Sequence, residues 1–200
     1  MRKLLSILLL SSFALFTLSC SDDDDNDNNN NNNDPGMSIN KIITPSGEYE
    51  ITGAVLEDYG DSETWHDGYN LDINFYTGTI EYDVDMGPSS GAGHVAYFEM
   101  FSSDAGELAE GDYTYDGNSD PYPVNTYSES SEIIDVTDAA NFEFTLLNDP
   151  QGTVNIERNG ASYTFTYSSA GFTIQYTGVP LYVDYTSRSM MPKKKGFLNR

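Results

Sequence analysis

The sequence predicts an all-β protein, and within that class an antiparallel β-sandwich. Three observations carry this. After Tyr49 apolar residues recur at every second position in run after run. Turn-forming residues separate those runs at short intervals. Helix signals are confined to one short stretch, 136–140, where a single turn is expected.

The elements follow in order. A first strand is expected over 50–56. Leu71, Ile73 and Phe75 then alternate with Asn70, Asp72 and Asn74. Ile80, Tyr82, Val84 and Met86 alternate with Thr79, Glu81, Asp83 and Asp85. Strands over 94–102, 112–115 and 141–147 come next. Thr153 to Arg158 and Ser162 to Tyr167 flank Asn159-Gly160, a pair that accepts the positive φ angles of a tight hairpin, so these two runs should pair. Phe172, Ile174 and Tyr176 alternate with Thr173, Gln175 and Thr177, and a last strand covers 181–185. Such alternation belongs to strands with one dry and one wet face. A sandwich is preferred over the alternative, a lipocalin-like β-barrel, because the spacing is uneven and a long loop over 116–131 interrupts it.

The chain begins differently. Met1, Arg2 and Lys3 precede a mostly apolar run over 4–18, shorter than the roughly 20 residues a spanning helix needs. A basic start, a short apolar run and small residues at its end predict a secretory signal peptide over 1–19. The run ends at Cys20, the one cysteine of the chain. Thr17-Leu18-Ser19-Cys20 resembles the lipobox of bacterial lipoproteins; Ser19 fits the small position, and Thr17 departs from the usual leucine. The resemblance implies that Cys20 is acylated and anchors the protein to a membrane. Acyl chains contribute about 0.8 kcal/mol per buried CH₂, so several chains on one residue hold a protein on a bilayer. Ser21 and the four aspartates after it resemble the acidic export signal of Bacteroidota surface lipoproteins, which implies the outer face of the outer membrane, with the periplasmic face as the alternative. Residues 20–38, with six consecutive asparagines, read as a tether. A single domain is expected over 39–187, and a basic tail over 188–200.

The stretches "YEITGAVLEDYGD", "HVAYFEMFSSDAGELAEGDYTYD" and "GTVNIERNGASYTFTY" are similar to segments of uncharacterised Bacteroidota lipoproteins. The matching residues, 108–115 and 152–165, are packing and turn residues. They support a β fold and imply no activity.

Charge narrows the partners. Loss of Arg2 and Lys3 with the leader takes the formal charge from −23 to −25. Between Cys20 and Thr186 the only bases of the sequence are Lys41 and Arg158. Such a surface repels nucleic acid and phosphorylated ligands and tolerates neutral sugars, cations and cationic peptides. Past Cys20 no cysteine remains for a disulfide or a thiolate, and two histidines, His66 and His94, are too few for a multi-histidine zinc site.

Two sets of candidate site residues stand out. Glu81, Asp83 and Asp85 would share one strand face, where a Ca²⁺ ion bound by oxygens would relieve their repulsion. Against this stands an ordinary solvated acidic face. Asp116-Gly117-Asn118-Ser119-Asp120 begins like a calcium loop, but Pro121 and Tyr127 fall where an EF-hand needs Gly and Glu. The second set is aromatic. Trp65 and His66 lie in a polar loop, and Tyr122 and Tyr127 in the long one; such rings stack on sugars while Asp and Asn accept hydroxyl hydrogens. Against this, a loop tryptophan also plugs the end of a β domain. The many acids of the sequence lend no specificity to any pair of them. The expectation is a lipid-anchored, non-catalytic binding module for glycan or another cell-surface ligand. A structural or adhesive component binding protein partners is the alternative, and a hydrolase a weaker one.

Overall fold

The computed structural model describes residues 40–186. No helix occurs among them. Fourteen strands follow in chain order: β1 (Lys41–Thr44), β2 (Gly47–Gly60), β3 (Tyr69–Thr77), β4 (Glu81–Asp83), β5 (Gly87–Ser90), β6 (Gly93–Ser102), β7 (Gly111–Tyr115), β8 (Thr126–Tyr127), β9 (Glu132–Asp138), β10 (Glu143–Asn148), β11 (Thr153–Asn159), β12 (Ser162–Ser169), β13 (Phe172–Gly178) and β14 (Leu181–Asp184). The signal peptide, Cys20, the tether and the basic tail lie outside the described residues.

The strands close a barrel rather than a sandwich. Starting at β6, neighbours run β3, β2, β1, β13, β12, β11, β7 and β8, and β8 returns to β6 through Met100↔Tyr127 and Phe101↔Thr126. The nine-stranded ring is mixed, because β7 and β8 run parallel. The sandwich expectation failed at one point. The 116–131 segment, read as an interruption, carries the two-residue strand that closes the ring. Thr126 and Tyr127 are too few to show a period. Their place is secured from both sides instead: Asn125 N–H donates to the Phe101 carbonyl at 2.7 Å and Ser128 N–H to that of Glu99 at 3.0 Å.

Two strands of the ring fork. β6 pairs with β9 through residues 93–97 and with β8 through Met100 and Phe101. β2 pairs with β1 through residues 47–50 and, in parallel, with β14 through residues 55–58. β9, β10 and β14 therefore lie outside the barrel wall, and β4–β5 forms a separate hairpin.

Local chemistry accounts for most of these elements. β11 and β12 pair as predicted, from Thr153↔Ser168 to Asn159↔Ser162. The turn is centred on Gly160 and Ala161, one residue later than the Asn-Gly reading. Gly160 has φ +61°, the conformation a type II′ turn needs at its first central residue. Where a strand was expected through Met86, β4 stops at Asp83. The Asp83 carboxylate accepts the Asp85 and Met86 amide hydrogens at 2.9 and 3.0 Å, folding the chain into a turn. The helical turn expected over 136–140 is absent. Val136 belongs to β9 and pairs with Phe144 of β10 and Gly93 of β6.

Large rings fill the barrel. Phe75, Phe98, Phe165, Tyr113, Tyr127 and Tyr167 are all fully buried. The Phe98 ring lies 5.3 Å from both Phe165 and Tyr167 and 5.5 Å from Tyr127. A second core lies outside the wall. On β3, Leu71, Ile73 and Phe75 join the interior while Tyr76 packs outward with Val55, Val95 and Ile134. Both faces of this strand are therefore covered, against the expectation of one wet face.

Candidate functional site

The two loops singled out from sequence meet on the outer face of β6. His66 and Tyr122 form a parallel bridge. The Tyr122 amide donates to the Trp65 carbonyl at 3.0 Å, and the Asp67 amide to the Tyr122 carbonyl at 2.7 Å. Phe101, which points out of the barrel, is the floor. Tyr122 stacks on it at 4.9 Å and His66 at 5.4 Å. Trp65 stands edge-on to both tyrosine and phenylalanine, at 6.0 and 5.5 Å. Gly68 lets the first loop lie this close to the strand: with φ +71°, a Cβ there would sit 2.2 Å from the Ser102 carbonyl oxygen.

Three of the four predicted aromatic residues are thus brought together. Trp65 and Tyr122 are half-buried, while His66 is buried. The Tyr122 hydroxyl donates to the Glu129 carboxylate, and burial together with that carboxylate raises its pKa. Tyr127 is elsewhere. It is fully buried inside the barrel, with its hydroxyl donating to the Gly152 carbonyl at 2.8 Å. Sequence reasoning missed Phe101 and Glu129. The only trace of Phe101 was its odd place as an apolar residue out of phase with Phe98 and Met100.

The predicted calcium residues do not converge. Glu81 accepts from the Ser90 hydroxyl at 2.8 Å, Asp83 caps its own turn, and Asp85 has left the strand. Among the described residues, no three His, Asp or Glu side chains are grouped so as to hold a metal ion. In the 116–120 loop the Asp116 carboxylate is engaged locally, by the Asn118 and Ser119 amides at 3.0 Å and the Ser119 hydroxyl at 2.6 Å. These bonds to the charged form lower its pKa, the Ser119 hydroxyl foremost. The two histidines are also apart. His66 packs on Phe101, whereas His94 lies seven positions up β6, about 23 Å away at the usual strand rise.

An unpredicted acidic row crosses the outer face. Glu57 of β2 stands opposite Asp72 of β3, which stands opposite Glu99 of β6. Glu57 and Asp72 are buried. Hydroxyls solvate the row in place of cations. Tyr59 and Tyr82 both donate to Glu57, Tyr97 donates to Asp72 at 2.8 Å, and Ser128 donates to Glu99. Burial first, and then these carboxylates, push all three tyrosine pKa values up, so the phenols stay protonated donors.

A cleft of about 210 Å³ opens beside Asp58, Tyr59, Asp61, Ser62 and Tyr69. Asp58 is only 4 % exposed. Its carboxylate accepts from the Gly60 amide at 2.8 Å and the Tyr182 hydroxyl at 2.7 Å. Comparison of the chain with family models, curated proteins and solved structures returned no match.

Proposed function

We propose that this protein is a surface lipoprotein, held by acyl groups on Cys20 to the outer membrane and facing the cell exterior. In this reading its barrel is a non-catalytic binding module for glycan or another cell-surface ligand. The observation that carries the binding role is the pairing of Trp65 with Tyr122. Two loops far apart in sequence are bridged so that two half-buried rings meet edge to face, and one of them, Tyr122, donates its hydroxyl to the Glu129 carboxylate. Rings supply faces and edges for the apolar side of a sugar, and the carboxylate accepts its hydroxyl hydrogens. Trp65 reports on the site directly. Titration with array-selected glycans should change its fluorescence, and Tyr122→Ala should weaken binding at least tenfold while the fold persists. An array without hits and a flat fluorescence titration would remove the glycan reading.

One observation favours the second reading, an adhesive or structural component. Strands β10 and β14 lie outside the closed ring as terminal strands, with Leu146 and Leu181 exposed on them. Open edges accept strands of other proteins. Light scattering that detects assembly abolished by Leu181→Lys would favour this reading over glycan binding. For the anchor, Cys20→Ala should release the protein from membranes.

A further inference from the structure

The chain leaves the barrel beside a strand whose outer edge is open and apolar. Among the described residues β14 pairs with β2 alone, from Leu181↔Val55 to Asp184↔Asp58. The Tyr185 amide donates to the Asp58 carbonyl at 2.8 Å. Alternate residues of a parallel strand turn their backbone groups to opposite sides, so the Tyr182 amide faces away from β2. Val179, Leu181 and Tyr182, on or just before this strand, are exposed. Val84 and Met86 are exposed too, and the Tyr185 hydroxyl, which donates to the Val84 carbonyl, ties their hairpin to the end of β14. Exposed apolar side chains therefore flank the place where residues 187–200 begin. Soluble proteins cover or charge such edges, and β14 carries one charged residue, Asp184.

The chain holds a segment suited to cover it. Residues 187–200 contain Arg188, Lys193, Lys194, Lys195 and Arg200, and no acid. All 32 acids precede them. Both bases of the described residues are already paired, Lys41 with Glu48 at 2.9 Å and Arg158 with Glu107. Met190, Met191, Phe197 and Leu198 lie among the bases of the segment. At about 3.3 Å per extended residue, β14 is about 13 Å long and 187–200 reaches about 46 Å, enough to turn and run back past Val179. We infer that residues 187–200 fold back on their own barrel and cover the open edge of β14. Their bases answer its negative field, and their apolar side chains meet Leu181 and Val179. Exposed ion pairs alone contribute little, so the apolar contacts fix the place. Attachment at Thr186 makes the contact intramolecular, at an effective concentration on the order of millimolar.

The test is NMR of the mature chain carrying Cys20→Ser, with a nitroxide attached through Gly196→Cys. The label should broaden the Leu181 and Tyr182 amide signals and spare Thr114 and Thr153, which lie across the ring on β7 and β11. Without the label, the Tyr182 amide should exchange about tenfold more slowly than after Lys193→Glu, Lys194→Glu and Lys195→Glu together. That triple change should also remove the broadening. So should Val179→Ser with Leu181→Ser, at two exposed positions where the fold tolerates the change. Leu146→Ser on β10 should leave both readouts unchanged. Broadening spread evenly over the barrel, equal loss with Leu146→Ser, or a Tyr182 amide that exchanges alike with and without the lysines would overturn the inference. Broadening of an isotope-labelled chain by spin-labelled copies mixed with it would overturn it in favour of a second copy. Loss of the broadening on vesicles containing phosphatidylglycerol, but not on neutral ones, would overturn it in favour of anionic lipid.

Discussion

The two faces of β3 pack against two different interiors. Inward, Leu71, Ile73 and Phe75 enter a core of aliphatic and aromatic side chains. Outward, Asn70, Asp72, Asn74 and Tyr76 are equally buried; Tyr76 joins the second apolar core, but Asp72 on the same face is held by the Tyr97 hydroxyl. The inner face is held by many contacts that are individually weak and directionless. The outer face depends on a few directional bonds to charged groups, each roughly twice as strong as a neutral one. The same substitution should therefore have different consequences on the two sides of the wall.

The largest effect belongs to the inner face. Phe98→Ala removes a fully buried ring that meets three others and should cost about 3–5 kcal/mol in urea denaturation. A loss under 1 kcal/mol would mean that the barrel interior is loosely packed. The comparison itself is sharpened by one chemical change made on each side. Tyr97→Phe leaves the buried Asp72 carboxylate without its 2.8 Å donor and should cost about 1.5–3 kcal/mol. Tyr167→Phe, inside the barrel, deletes a buried hydroxyl that has no hydrogen-bond partner among the described residues. It should be neutral or stabilising by up to about 1 kcal/mol. Equal costs for the two variants would break the distinction between the faces.

The smallest effect is a pH dependence at His94. Burial lowers its pKa, and Asp135, 3.9 Å away, opposes that shift in part. Below pH 6.5 the unfolded chain then binds more protons at this site than the folded one. The stability His94 contributes is therefore complete above pH 6.5 and lost as the pH falls towards the lowered folded-state value. The denaturation midpoint should drop more between pH 7.5 and 5.5 in the natural protein than in His94→Gln. Asp135→Asn should enlarge the drop. Identical pH profiles would show that His94 is solvated alike in both states.

Legibility divided along a physical line. The pairing of β11 with β12 was readable because a strand's period and its turn lie within a dozen residues. The failure at Met86 was also local in origin, since an Asp that can accept two backbone hydrogens ends a strand without altering the apolar pattern. Trp65, His66 and Tyr122 were picked out as rings in polar loops, but nothing in either loop pointed to Phe101, the surface on which they meet. The acidic row was hidden by a sound local rule. Glu57, Asp72 and Glu99 occupy wet positions in their own strands, and only the β4–β5 hairpin, β14 and the tyrosines packed over that face make the place dry.

By itself the sequence determined an all-β chain, the phase of most strands, the near-absence of basic residues between Cys20 and Thr186, and the place of Cys20 just after an apolar run. These follow from side-chain chemistry read over a few neighbours. Barrel or sandwich, the second core and the Asp58 cleft were decided by tertiary structure alone. Closure of a sheet depends on whether its first and last strands meet, and here two residues, Thr126 and Tyr127, settle that through bonds to a strand some 25 positions earlier.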